Sequence, residues 1–357
     1  MPEMTKRQLL ALGAAAAVAR PAVAQTAPHE TAPHETAPHE QELYAAAKRE
    51  GELTWYTGQL SAETSEAMGA AFTKLYPGVK VNVVRSTSQV AFQRLSQDMR
   101  AGVAQCDIFS STDLGHSTFL KREGRYLQYR PKNADGVLAT ARDIDPDGFF
   151  HIAYLGLYLM AFNNAKLTAA QAPTSWKAAL DPKWKDQLAI GHPGYSGAIG
   201  SLAVQLRKLY GWEYFKALER NRPQIGRSSE DPVTTLNAGE RTVGLGVPIG
   251  TTLLSISRGN PLTVIYPDDG SLLVPSPSGI PKNAPHPNAA KLFQEFTAGP
   301  EYSRVLAQYF NPPLRADVPP PAGAKPLDQI KLVQPTTAEI ETGVPEVKEL
   351  WRDTFGV

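Results

Sequence analysis

Three short runs of hydroxyl and glycine residues fall where an extended stretch gives way to a helical pattern: Thr57-Gly58, Ser86-Thr87-Ser88 and Ser110-Ser111-Thr112. Hydroxyls and free backbone N–H groups at such junctions hold polar ligands without covalent chemistry. A second set stands later in the chain: Tyr195-Ser196-Gly197 at a helix start, and Arg227-Ser228 after a short extended stretch. Small residues at a helix start let a ligand reach the N–H groups, and the helix dipole there favours an anion. A guanidinium adds a bidentate hold on carboxylate or phosphate. The plainer alternatives are an ordinary N-cap for Ser196 and a surface ion pair for Arg227. Arg85 is a further anion candidate, whose facing the spacing leaves open. Tyr154 lies in a long apolar run and either stacks on a ligand or belongs to the core with one polar end.

Covalent chemistry finds little support. Ser196 sits in Gly194-Tyr195-Ser196-Gly197-Ala198, which lacks the closing glycine of a G-x-S-x-G elbow. The one later histidine, His286, stands between two prolines. The chain holds no H-E-x-x-H, P-loop or CxxC pattern. His29, His34 and His39 belong to TAPHE, a five-residue unit copied three times over 26–40. Spacing of five with an intervening proline does not set them on one helix face, so no metal is expected there. The residues point to a binding protein with neither catalytic residues nor a cofactor. An exported serine hydrolase is the alternative from a different class.

Alternating periodicities place these groups. Apolar spacing predicts strands over 53–57, 79–84 and 107–110, with helices over 62–75, 89–101 and 117–123 between and after them. This order implies a largely parallel α/β sheet with right-handed crossovers, whose ligands sit beyond the carboxyl ends of the strands. The apolar run 150–162 is long enough to cross between two domains. Beyond it come strands over 187–190, 242–248 and 262–267, a helix from the Ser196 region to 209, and a helical turn over 234–238. The stretch 274–279 returns toward the first unit, and 288–297 reads as a helix. Many of the 30 prolines fall in the last hundred residues, suggesting long ordered connections there.

The N-terminus reads as an export signal. Lys6 and Arg7 precede the eleven apolar residues 9–19, too few to span a bilayer, and Ala22-Val23-Ala24 is a small-residue cleavage site. Cleavage after Ala24 removes three basic residues and one acidic one, taking the formal net charge from +1 to −1. That balance gives no basic field for nucleic acid. A lone cysteine, Cys106, excludes an intramolecular disulfide. The expected compartment is the bacterial periplasm, reached by a Sec or twin-arginine route.

Several stretches are similar to the extracellular solute-binding proteins of bacterial ABC importers, in the branch that includes ferric-ion-binding members. GELTWYTG followed by AFTKLYPGVKV resembles their first strand, helix and second strand. AGVAQCDIF resembles the third strand, LNAGERTVGLGVP a helix end and buried strand, and KNAPHPNAAKLFQEF a later helix. The resemblance covers 43 to about 315 and implies a two-lobed periplasmic-binding-protein type II fold. Each lobe would be a mostly parallel sheet flanked by helices, with hinge strands between lobes and a small ligand enclosed. The implied organisation is a signal peptide over 1–24 and a disordered repeat linker over 25–42. Lobe 1 would comprise 43–150 plus about 268–305, and lobe 2 about 151–267 plus 306–357. The implied partners are a small-molecule ligand and permease subunits at the inner membrane, with the protein itself a monomer. Where ferric members carry a histidine, this chain has Leu60; where they carry adjacent tyrosines it reads Pro248-Ile249-Gly250-Thr251. Ferric iron needs anionic oxygen ligands, so an organic anion or polyol is the expected cargo, with ferric iron the alternative in the same fold.

Overall fold

The computed structural model describes residues 38–357. The export segment, its cleavage position and most of the repeat, with His29 and His34, lie outside the described residues. Helix α1 (Pro38–Glu50) begins inside the third repeat and takes in residues 38–42 of the expected linker. Proline suits a first helical turn, and Glu40 is buried, accepting Tyr76 Oη–H at 3.2 Å and Asn133 Nδ2–H at 2.6 Å. Those tertiary contacts, invisible in a polar repeat, turn its last unit into structure.

The first half of the molecule follows the expected alternation. β1 (Glu52–Thr57), α2 (Ala62–Leu75), β2 (Lys80–Arg85), α3 (Ser88–Arg100), β3 (Ile108–Ser110) and α4 (Leu114–Arg122) succeed one another. β1 pairs in parallel with both β2 and β3. Helix α4 starts three residues earlier than its periodicity predicts because Asp113 caps it, accepting Gly115 N–H at 3.0 Å. After β4 (Tyr126–Leu127) and the short α5 (Ala139–Arg142), β5 (Phe150–Asn163) runs for 14 fully buried residues. At the usual rise per residue it spans roughly 45 Å.

The second half repeats the parallel arrangement. β6 (Leu188–Ile190), α6 (Gly197–Tyr210), α7 (Glu213–Arg220), β7 (Gln224–Ile225), α8 (Asp231–Asn237) and β8 (Val243–Pro248) lead to α9 (Ile249–Ser257) and β9 (Leu262–Ile265). β6 pairs in parallel with β7 and β8. Then β10 (Ser271–Pro281) returns across the molecule, antiparallel to both β5 and β3. Strand order is β2-β1-β3-β10-β5-β8-β6-β7. Two parallel sheets are thus joined, along that path, through the antiparallel pair β5 and β10.

Helices α10 (Pro287–Ala298) and α11 (Pro300–Gln308) then cover the first sheet. Phe293 packs 5.2 Å from the rings of both Trp55 and Phe72, which fixes α10 on β1 and α2. A proline-rich connection follows, with β11 (Leu332–Val333) adding to β10. The chain ends in α12 (Thr337–Phe355), 19 residues opened by a capping box between Thr336 and Glu339. Trp351 of α12 is fully buried beside Phe215 of α7.

Candidate functional site

The carboxyl end of β1, the N-termini of α2 and α3 and the turn after β3 meet the N-termini of α6 and α8 around one small cavity of about 30 Å³. Its wall holds Gly58, Ser61, Thr64, Thr87, Ser88 and Thr112 from the first half, and Ser196, Ser228, Ser229 and Glu230 from the second. Tyr154 and Tyr158 of β5 form its floor together with Asn311. Thr112 links the halves directly: its Oγ1 accepts Ala198 N–H at 3.2 Å and lies 2.7 Å from Ser88 Oγ. Gln89 N–H donates to Tyr195 O at 3.2 Å beside it.

Two glycines permit these approaches. A Cβ on Gly58 would stand 2.6 Å from Ser88 Cα, and one on Gly197 would stand 2.7 Å from Asp113 Cβ. Only glycine lets the α6 N-terminus come so close to the turn after β3. Ser196 caps α6 by accepting Ile199 N–H at 3.3 Å, and Ser61 caps α2 by accepting Thr64 N–H at 3.1 Å. Several helix N-termini therefore direct partial positive charge toward one small volume.

The charged side chains of the lining are Arg85 and Glu230, which pair across the cavity at 3.1 Å. Arg85 Nε–H also donates to Leu60 O at 3.1 Å. Burial pushes the Glu230 carboxyl above its ordinary range, against the opposing pull of Arg85. Burial likewise pushes the Tyr154 and Tyr158 phenols well up, so both are neutral donors. Tyr154 Oη–H donates to Asn311 Oδ1 at 3.2 Å.

Of the residues singled out in the sequence, Gly58, Thr87, Ser88, Thr112, Tyr154, Ser196 and Ser228 line this cavity. Others stand behind it. Thr57 is fully buried within β1. Ser110 accepts Trp55 Nε1–H at 2.9 Å and donates to Ser278 Oγ at 2.9 Å, holding β1, β3 and β10 together. Ser111 lies 2.9 Å from His116 Nδ1, and Ser86 Oγ–H donates to Thr87 O. Tyr195 and Gly197 shape the α6 approach without lining the cavity, and the Ser228 hydroxyl is tied to Asp231. Arg227 is exposed, its guanidinium 4.5 Å above the Tyr195 ring and outside the lining. The cation inside is Arg85.

Tyr158, Glu230 and Asn311 also line the cavity and were not picked out from the sequence. Tyr158 was within reach of the strand period, which puts 154, 156 and 158 on one face. Asn311 follows α11 and had no local signal. Leu60, Pro248 and Thr251, the positions where the ferric branch differs, do face the cavity.

Two parallel α/β sheets bridged by long antiparallel strands, closing over a hydroxyl-lined cavity, define a ligand-capturing protein of the type II periplasmic binding class. The sequence pattern of the bacterial extracellular solute-binding protein family matches residues 106–334, and the chain belongs to that family, whose members serve ABC importers. A Salmonella typhimurium periplasmic protein provisionally named for 2-aminoethylphosphonate binding is 26% identical over 284 residues, spanning 76% of this chain and 77% of the relative. The spermidine/putrescine-binding periplasmic protein of Escherichia coli K12 is 21% identical over 232 residues, or 60% and 62% of the two chains. Among solved structures, the periplasmic binding protein AfuA of Actinobacillus pleuropneumoniae, with fructose-6-phosphate bound, superposes with a TM-score of 0.77 at 22% identity, over 86% of this chain and 98% of its own. Iron-bound HitA of Pseudomonas aeruginosa gives 0.72 at 20% identity, over 85% and 99%. These two likenesses establish the fold.

Proposed function

We propose that this solute-binding protein captures a small organic anion carrying a phosphonate or phosphate monoester group. The observation that carries the reading is the convergence of capped helix N-termini, the hydroxyls of Ser61, Thr64, Ser88 and Thr112, and Arg85 on one cavity. A tetrahedral anion needs many donors at close range, and this wall supplies them without fixed negative charge on its own side. Two relatives, one named for a phosphonate and one holding a sugar phosphate, support the same class. A polyol would use the hydroxyls and leave Arg85 without a role beyond Glu230.

The rest of the reading concerns assembly and traffic. The mature chain begins at Gln25 in the periplasm, acts as a monomer, and presents its closed form to the permease. Its two lobes are the halves that β5 and β10 join. Ser196 serves as a helix cap, and Asp107 accepts from His286 in a separate cluster, its Oδ2 lying 3.0 Å from Nδ1, so a hydrolase triad gains no support. Isothermal titration with methylphosphonate, glycerol 3-phosphate, citrate and sorbitol tests the class. Binding of the first pair alone supports it; binding of sorbitol or citrate alone would overturn it.

A further inference from the structure

The cavity has two poles. On one side stand Gly58, Ser61, Thr64 and Ser88 with Arg85, whose guanidinium is anchored through Leu60 O. On the other stands Glu230 at the start of α8, its backbone N–H held by Ser228 Oγ at 3.2 Å. The rings of Tyr154 and Tyr158 lie beside it in the same lining, Tyr158 close enough to feel the carboxylate's charge. As the walls stand, Arg85 and Glu230 satisfy each other, and each side chain is about a quarter exposed (24% and 25%).

An anion seated at the helix N-termini draws Arg85 to itself. Glu230 then faces that anion within a closed cavity and has lost its counter-ion. A part-buried carboxylate without its counter-ion is unfavourable, and a like charge nearby makes it worse. Pairing is restored only when the ligand carries its own cation toward the second pole. There an ammonium meets a carboxylate and two aromatic rings, a combination suited to cations.

We propose that the ligand is a zwitterion: a phosphonate or phosphate held at the Arg85 pole and a primary ammonium, a short carbon chain away, received by Glu230. This rests on the anion reading above and adds a selectivity to it. Glu230 is the residue that distinguishes an aminated ligand from a plain one.

The test uses a pair of probes that differ in one group: 2-aminoethylphosphonate and propylphosphonate, in which a methyl replaces the ammonium. Titration of the wild-type protein should show the zwitterion bound more tightly by about 30-fold or more, the scale of one buried charge pair. In Glu230→Gln the ratio should shrink to within about 3-fold, the zwitterion weakening and propylphosphonate tightening. Equal wild-type affinity for both probes overturns the proposal while leaving the anion reading intact. Binding of neither probe overturns the proposal, and the glycerol 3-phosphate titration above then decides the anion reading on its own. The wild-type comparison stands even where the variant folds poorly, and an unchanged ratio in a folded Glu230→Gln also overturns the assignment to Glu230.

Discussion

Arg85 and Arg227 lie close to the same cleft, and geometry separates what they do. Arg85 projects into the lining and pairs with Glu230, whereas Arg227 lies over Tyr195 on the outside. Arg85→Ala should therefore cost about 2 to 5 kcal/mol in binding of an anionic ligand, because it removes the anion's counter-charge and leaves the Glu230 carboxylate facing it. Arg227→Ala removes an exposed cation–π contact and should cost about 1 kcal/mol or less. Titration calorimetry on the two variants checks the order; a larger loss in Arg227→Ala would reverse the assignment. The tyrosines carry a second prediction. Tyr154 and Tyr158 reach the cavity, yet burial keeps their phenols protonated and Arg85 adds positive charge beside the one carboxylate. Ferric citrate should accordingly produce no tyrosinate charge-transfer band in the visible spectrum, and an intense band would show that both assumptions about protonation and charge are mistaken.

At the scale of elements, the α6 N-terminus is placed by a single missing side chain. Gly197→Ala would press a methyl group against Asp113. Overpacking of this kind costs about 1 to 3 kcal/mol, and here it should fall on the closed arrangement, weakening ligand affinity while leaving the far core of α10 intact. A melting temperature that drops in step with affinity would place the damage in folding instead. Such close approaches were not legible in the sequence, where Gly197 read simply as a permissive helix start. What was legible followed period and punctuation: α2 runs over the residues its apolar spacing gives, and β5 fills the long apolar run. Helix α12 was missed although its capping box is plain, since the many prolines of the last hundred residues suggested long ordered connections there. Its fixing contacts come from α6 and α7, far away in sequence. The same holds for Glu230, whose importance appears only when β2 is brought opposite α8.

At the scale of the whole molecule, the proposed capture calls for an opening and a closing. A cavity of about 30 Å³ admits little more than water, whereas sites for organic ligands run to roughly 300 Å³ and above. Entry of the proposed ligand would have the halves part about β5 and β10, and small-angle scattering should then give a smaller radius of gyration with ligand than without. An equal radius at saturation would mean that no such motion accompanies binding. Acid should also unsettle the fold. Burial holds His116 down to about 4 and His151 to about 3, while unfolded histidines titrate near 6.5. From pH 6.5 downward the unfolded chain takes up protons that the folded one refuses. Stability then falls at about 1.4 kcal/mol per pH unit for each histidine, levelling only near the folded values. Melting temperatures between pH 7 and 4.5 should trace this fall, with a shallower slope in His151→Gln.

Behind the ligand cavity, α12 crosses to the first half. Lys348 Nζ–H donates to Gln89 Oε1 at 2.8 Å, and Glu341 accepts from Thr118 and meets Arg122 at 3.5 Å. The groove so formed, about 480 Å³, is bordered by Phe119, which is 40% exposed. The chain's one thiol, Cys106, is buried. A cysteine introduced as Phe119→Cys would therefore be the sole thiol open to labelling, at a seam whose width tracks the separation of the halves. A solvent-sensitive dye attached there would turn capture of the cargo into an optical signal, without a probe atom in the cavity itself.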